Sequence, residues 1–346
     1  MLLLYRTWDR VRGRHEGGFR KMFILGVGAA HPEVEVTDEL LASMGLVPSA
    51  REAQLLSRFG VKTRRTSLPQ DYITITKNRE VLEGRSAALA SPTSLAVAAS
   101  RQALERAGIA TEQVGLILAD TATPYQTCPS EAQRLGGALG IKIPAYDIVA
   151  GSASLPLYLE MLSSWKPERI PDYVLCVSTN TLSQHVAYSG SVVPAHLYGD
   201  AASAVVVSSR HAGKFKVVDS YLERRGFLKA STVVERHVSF ADEALLPKAE
   251  VVEMISQGLK RISRETAPCA IVGPQLYSGE FAEYEKMLGL ASGALISATT
   301  RVGFALGASC GVALSSLWDT TKQGAAIALL HAGDGVWSGS IVLASE

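Results

Sequence analysis

One stretch constrains this chain more than any other: Ala145-Tyr146-Asp147-Ile148-Val149-Ala150-Gly151-Ser152-Ala153-Ser154-Leu155. It reads as a short buried strand, a tight turn of small residues, and the first turn of a helix running to about Trp165. A residue at such a turn projects its side chain above the strand end. The helix behind it supplies unpaired N–H groups and partial positive charge. Nucleophiles that carry acyl groups are often placed in this way. The apex residue here is Ser152.

The same grammar of buried strand, small-residue turn and helix recurs along the chain. Phe23–Ala29, Val114–Ala119, Tyr173–Ser178 and Cys269–Val272 read as buried strands. Residues 93–106 and 249–264 read as helices, each followed by a strand, so 93–119 and 249–273 form a duplicated α/β unit. With 346 residues, 47% of them hydrophobic, and 30 glycines, the chain is long enough for two tightly packed α/β halves. We place these at residues 22–208 and 209–346. Residues 1–21, rich in arginine and lacking the order of a signal peptide, read as an extension outside the fold.

Charge and composition narrow the function classes. A net charge of +1 gives no electrostatic case for a nucleic-acid partner. No apolar run approaches the roughly 20 residues that span a membrane. Cys128, Cys176, Cys269 and Cys310 show no metal-ligand spacing and read as free thiols in a reducing, cytoplasmic setting. No metal and no cofactor is expected. The basic turn Gly60-Val61-Lys62-Thr63-Arg64-Arg65 has two readings, a face for a phosphate-bearing ligand or, as is commoner for such a turn taken alone, a solvated loop.

Taken together, several segments resemble the β-ketoacyl-ACP synthase III group of the thiolase superfamily. They are that basic turn, Pro129-Ser130, Asp147 placed five residues before the apex, Tyr198-Gly199-Asp200-Ala201-Ala202, and Gly333-Asp334-Gly335 with Gly339-Ser340. The resemblance covers residues 22–346. It implies a thiolase-like fold: two similar α/β halves in a five-layered αβαβα arrangement, usually dimeric. It also implies an acyl group taken from coenzyme A or acyl carrier protein onto a cysteine, served by a histidine and an asparagine. Those positions fall here on Ser152, on Gln275 after Pro274, and on Phe304 after Gly303.

A serine in the cysteine position changes the energetics. A free thiol titrates at ~8.5, whereas an alcohol resembles water and titrates far higher. Closing that gap needs about 10 kcal/mol, and a helix dipole supplies at most ~2 kcal/mol. Ser152 therefore requires a general base. Gln275 cannot accept a proton, and Phe304 cannot hydrogen-bond a decarboxylating malonyl group. His196 and His331 flank the expected site and are the replacement bases to examine. The backbone N–H groups of Ser152 and Gly335 would form the oxyanion hole. Arg58 falls where the resemblance puts an arginine beside the thioester carrier, with Gln54 in place of a stacking tryptophan.

The expected function is a non-decarboxylating acyltransferase of fatty-acid or polyketide-type metabolism. It moves an acyl group from a CoA or acyl-carrier-protein thioester through Ser152. The alternative is a catalytically silent subunit beside an active, cysteine-bearing ketosynthase homologue. The expected assembly is a homodimer or a heterodimer with a ketosynthase homologue.

Overall fold

The computed structural model describes residues 21–224, 230–262, 270–331 and 337–346. The arginine-rich extension apart from Lys21, Cys269, and the Gly333-Asp334-Gly335 loop lie outside the described residues.

The chain opens with β1 (Met22–Ala30), followed by β2 (Val34–Thr37), α1 (Asp38–Ser43), α2 (Ala50–Phe59) and β3 (Thr63–Thr66). Two short helices, α3 (Gln70–Thr76) and α4 (Val81–Ala87), precede the long α5 (Pro92–Ala107). Local chemistry fixes α5 at both ends: the Ser91 hydroxyl caps it, Pro92 occupies its first position, and Gly108 stops it in the left-handed region at φ 64°. Strand β1 lies tightly under this helix. A Cβ on Gly26 would sit 2.0 Å from the Ala103 carbonyl oxygen, so only glycine permits the approach.

Then come β4 (Leu116–Asp120), α6 (Glu131–Leu139), β5 (Ala145–Asp147), α7 (Ser154–Ser164), β6 (Val174–Thr181), α8 (Val192–Leu197) and β7 (Asp200–Ser208). The remainder contains β8 (Phe215–Arg224), the hairpin β9 (Thr232–Val234) and β10 (Val238–Phe240), α9 (Lys248–Ile262), and β11 (Ala270–Val272). It closes with α10 (Phe281–Leu288), β12 (Leu295–Ile296), α11 (Thr299–Val302), α12 (Gly307–Leu317), β13 (Ala326–His331) and β14 (Trp337–Ser345).

Ten strands join in the order β12-β11-β13-β14-β8-β1-β7-β6-β4-β5. The period-two alternation of strands sorts their side chains into separate cores. Phe23, Leu25, Ile117, Leu175 and Val206 pack with α5 and α6. Met22, Ile24, Leu118, Cys176 and Val207 turn the other way, toward Leu159 and Leu162 of α7 and Cys310 and Leu314 of α12. Val272, Ile327, Leu329 and Ile341 enter that same central core from the second group of strands. Ile271, Ala328, Leu330 and Val342 face the opposite way, onto α9 and α10. The layers are therefore helix, strand, helix, strand, helix, the five-layered αβαβα arrangement that the resemblance implies. The two elements of each duplicated pair hold equivalent places: α5 and α9 cover the outer faces, while β4 and β11 lie within the sheet.

Two local readings are corrected. The opening strand is not buried. β5 has only three residues at the sheet edge, and its central residue, Tyr146, is 53% exposed. The basic turn is not a solvated loop either: Thr63–Thr66 is a strand paired with β2. Arg64 is buried there, donating to the His196 carbonyl (2.7 Å) and pairing with Asp38 (2.6 Å). Charge pattern alone cannot separate these outcomes, because a buried arginine needs partners from distant segments.

Candidate active site

Asp147 explains why the strand-to-turn segment is built as it is. Its carboxylate accepts from the backbone N–H groups of Glu131 (2.9 Å) and Ala132 (2.7 Å), capping α6 and anchoring the end of β5. The chain then enters a single 3-10 turn, Gly151–Ala153, before α7 begins. Gly151 has φ 56°, a conformation that costs a side-chain-bearing residue. Asp120 at the end of β4 fixes the turn from beneath, accepting from the Ala150 N–H (2.9 Å) and the Ser178 hydroxyl (3.0 Å). Ser152 is thus held, buried, on a turn whose ends are pinned by two carboxylates.

His331, the last residue of β13, packs directly on this turn. Its Nδ1 donates to the Ser152 carbonyl oxygen at 3.0 Å. A carbonyl can only accept, so this bond fixes the neutral tautomer, with the lone pair on Nε2. That nitrogen faces the Cys310 thiol on α12 at 3.6 Å. Burial pushes His331 down to about 4, and it pushes the Cys310 thiol up to about 12. Both groups are therefore neutral, and the pair is a thiol with an imidazole rather than a thiolate with an imidazolium.

The other replacement base is directed elsewhere. The two ring nitrogens of His196 meet the Asp38 carboxylate (3.2 Å) and the Leu46 carbonyl (2.9 Å), on the α1 side of the molecule. Of the two named histidines, the structure brings His331 to Ser152, and it ties His196 into the packing of α8 against α1.

Gln275 and Phe304 are absorbed into the fold. The Gln275 amide nitrogen donates to the carbonyls of Gly273 (2.8 Å) and Ile296 (3.1 Å). Its oxygen accepts from the Ala298 N–H (2.9 Å) and the Ser297 hydroxyl (3.2 Å). A side chain carrying two donors and one acceptor oxygen is saturated by these bonds. Gln275 staples the ends of β11 and β12 to the loop that follows. Phe304 is fully buried beside Tyr198, with its backbone N–H on the Leu197 carbonyl (2.9 Å).

The Tyr-Gly-Asp motif also serves the fold here. A Cβ on Gly199 would lie 1.9 Å from the Val302 carbonyl oxygen, so this glycine allows the segment before Phe304 to pass. Asp200 is completely buried and accepts from the N–H and hydroxyl groups of both Ser67 and Ser183, at 2.6 to 2.8 Å. Burial raises its pKa, and those bonds oppose the rise.

Arg58 is held by the protein itself. Its Nε pairs with Glu280 (2.9 Å), a terminal nitrogen donates to the Leu246 carbonyl (3.0 Å), and the guanidinium lies 5.4 Å over the Tyr277 ring. Gly335, named for the oxyanion hole, lies outside the described residues. Among the described residues no cluster of three or more His, Cys, Asp or Glu side chains is arranged to hold a metal, and no helix is long and apolar enough to cross a membrane.

The sequence reading missed the Cys310 contact with His331 and the role of Asp120. Both partners are distant in sequence, and no local pattern joins them.

No protein-family model matches the chain. Among curated relatives, β-ketoacyl-[acyl-carrier-protein] synthase III of Rhizorhabdus wittichii is 27% identical over 208 residues, covering 60% of this chain and 58% of that protein. The protein of the same name from Streptomyces glaucescens is 29% identical over 185 residues, covering 53% and 49%. The chain thus spans about half the length of the curated relatives it matches. Among solved structures, 3-oxoacyl-[acyl-carrier-protein] synthase III from Aquifex aeolicus superposes with a TM-score of 0.75 at 22% identity, covering 93% of this chain and 99% of that one. The corresponding enzyme from Pseudomonas aeruginosa gives 0.74 at 23% identity, covering 94% and 98%. In sequence the chain is similar to β-ketoacyl-[acyl-carrier-protein] synthase III proteins, and it shares the fold of the solved 3-oxoacyl-[acyl-carrier-protein] synthase III structures.

Proposed function

We propose that this protein is an acyltransferase that accepts an acyl group from a thioester onto Ser152 and passes it on without decarboxylative condensation. The observation that carries the reading is the contact between His331 and Ser152 across a buried turn. A neutral imidazole is the form able to take a proton, and burial keeps His331 neutral. In the resting arrangement its Nδ1–H is engaged by the Ser152 carbonyl. Reaction therefore requires the ring to turn so that its unprotonated nitrogen meets the serine hydroxyl. The Ser152 proton then goes to His331, the oxygen bonds to the thioester carbonyl carbon, and the thiolate leaves with that proton. The Ser152 N–H and the Gly335 N–H are proposed to hold the oxyanion.

Gln275 and Phe304 stand, by the resemblance, where a ketosynthase carries its histidine and asparagine. The amide of Gln275 is saturated by backbone and the Phe304 ring is in the core, which argues against malonyl decarboxylation. The thioester is proposed to approach beside Arg58. Because Arg58 is already paired with Glu280, an acyl carrier protein is favoured over coenzyme A as donor. We place the protein in the cytoplasm, divided into thiolase-like halves at 22–208 and 209–346.

A second reading, a silent partner subunit, is favoured by one observation. His331 offers its lone pair to Cys310, not to the Ser152 hydroxyl, and so does not activate Ser152 as it stands. Intact-protein mass spectrometry after incubation with acyl-CoAs and acyl carrier proteins separates the two. A stoichiometric acyl adduct that disappears in Ser152→Ala supports the transferase. No adduct, with co-purification of a cysteine-bearing homologue, supports the silent partner.

A further inference from the structure

A concave site lies away from the Ser152 turn. Where β1 ends, Ala30 opens onto a cleft of about 530 Å³ between α5, the later half of α12, and the loop that follows β12. Ser152, Gln275, Phe304 and His331 are not among its lining residues. The guanidinium groups of Arg65 and Arg301 and the imidazole of His31 line it, and no Asp or Glu does among the described residues.

The arginines are incompletely used. Arg65 directs its terminal nitrogens to the Glu33 carbonyl (2.8 Å) and the Glu35 carboxylate (2.5 Å), while its Nε is buried without a hydrogen-bond partner among the described residues. A buried guanidinium N–H with no acceptor is costly to maintain, and an anion would relieve it. Arg301 makes no side-chain hydrogen bond or ion pair among the described residues; its backbone carbonyl accepts from Thr63 (3.0 Å). Ser297 and Ala298 form part of the wall, and both donate to Gln275. An occupant would therefore rest on the loop that Gln275 holds in place.

We propose that this cleft binds a phosphate monoester. Two guanidinium groups and an imidazole around one concavity match a compact dianion better than a single carboxylate, and the volume accommodates a metabolite-sized body. The phosphate has two possible sources, a free phosphorylated metabolite or the 3′-phosphate of coenzyme A.

Isothermal titration of the full-length protein with glycerol 3-phosphate, coenzyme A and dephospho-coenzyme A tests the assignment. Saturable binding of a phosphate monoester is expected. It should weaken with added salt and fall about tenfold or more in Arg301→Ala, whose side chain makes no hydrogen bond or ion pair among the described residues. Ala30→Phe, which fills the cleft without changing charge, should abolish it. Glycerol 3-phosphate binding points to a free metabolite. Binding of coenzyme A but not of dephospho-coenzyme A or glycerol 3-phosphate, with the same Arg301 dependence, points to the cofactor's 3′-phosphate. The proposal is overturned if no phosphate monoester binds, or if Arg301→Ala binds as tightly as the parent.

Discussion

His331 Nδ1 donates to the carbonyl oxygen of Ser152, joining the end of β13 to the turn that starts α7. The bond ties the second half of the chain to the apex residue of the first. It also fixes which imidazole nitrogen carries the proton.

The first consequence is a pH dependence of stability. Burial lowers the His331 pKa from 6.5 to about 4, and burial beside Arg85 lowers His185 to about 4 as well. Below the unfolded value the unfolded chain binds protons that the folded chain refuses. The stability from these neutral rings is complete above about pH 6.5 and is lost as pH falls toward 4, on the order of 3 kcal/mol for each. Urea unfolding at pH 7.5 and pH 4.5 should show a steep decline that is shallower in His331→Gln. An identical slope in that variant rules the account out.

Gln275 should behave as a structural residue. Gln275→Ala strands the buried N–H of Ala298 and removes two bonds to carbonyls, a loss of about 2–3 kcal/mol. Denaturant titration reads this directly. An unchanged midpoint would show that the staple does not matter.

Restoring an asparagine at position 304 should damage the protein without creating a condensing enzyme. Phe304 is fully buried among apolar side chains, so Phe304→Asn costs about 3–5 kcal/mol. The double variant Gln275→His/Phe304→Asn is expected to lose stability and to release no carbon dioxide from malonyl thioesters. Radiolabelled malonyl turnover is the check.

Gly307 offers a variant aimed at the Ser152 turn. A Cβ there would lie 2.6 Å from the Gly151 carbonyl oxygen and 2.2 Å from the Ser154 hydroxyl. The hydroxyl can rotate away, but the backbone carbonyl cannot move without shifting the turn. Gly307→Ala should therefore reduce acyl-adduct formation at least tenfold, which is about 1.4 kcal/mol in the barrier, while near-ultraviolet circular dichroism shows a folded protein. Full adduct formation would contradict the requirement for that geometry.

The β5 edge predicts self-association. β5 pairs only with β4 among the described residues, and Tyr146 within it and Val149 just after it are exposed. An unpaired strand edge with apolar side chains is an association surface. Analytical ultracentrifugation should show a dimer that Tyr146→Arg weakens. A parent protein that is monomeric at micromolar concentration refutes it.

Much of the fold is legible in the chain because its signals are local. Ser91-Pro92 and Gly108 bound α5, and Ser130 and Gly140 bound α6, through caps and stops that act within a few residues. The apex at Ser152 is legible for the same reason. What local pattern misread was exposure: β5 is an edge strand and Arg64 is buried, and each depends on which segments lie alongside. The assignments of Gln275 and Phe304 followed from family likeness, while their roles as staple and core residue depend on contacts with Ile296, Ala298 and Tyr198.

By itself the sequence determined where the chain turns, which α/β unit it repeats, and that a serine stands at the apex. Caps, glycine conformations and hydrophobic period act over short separations, so they are written in order along the chain. Only the tertiary structure decided which histidine reaches Ser152, which proton that histidine carries, and that Arg65 and Arg301 share a cleft. Those facts rest on groups as far apart as residues 152 and 331. Their hydrogen-bond states and charges are set by desolvation and by partners that meet only when the layers pack.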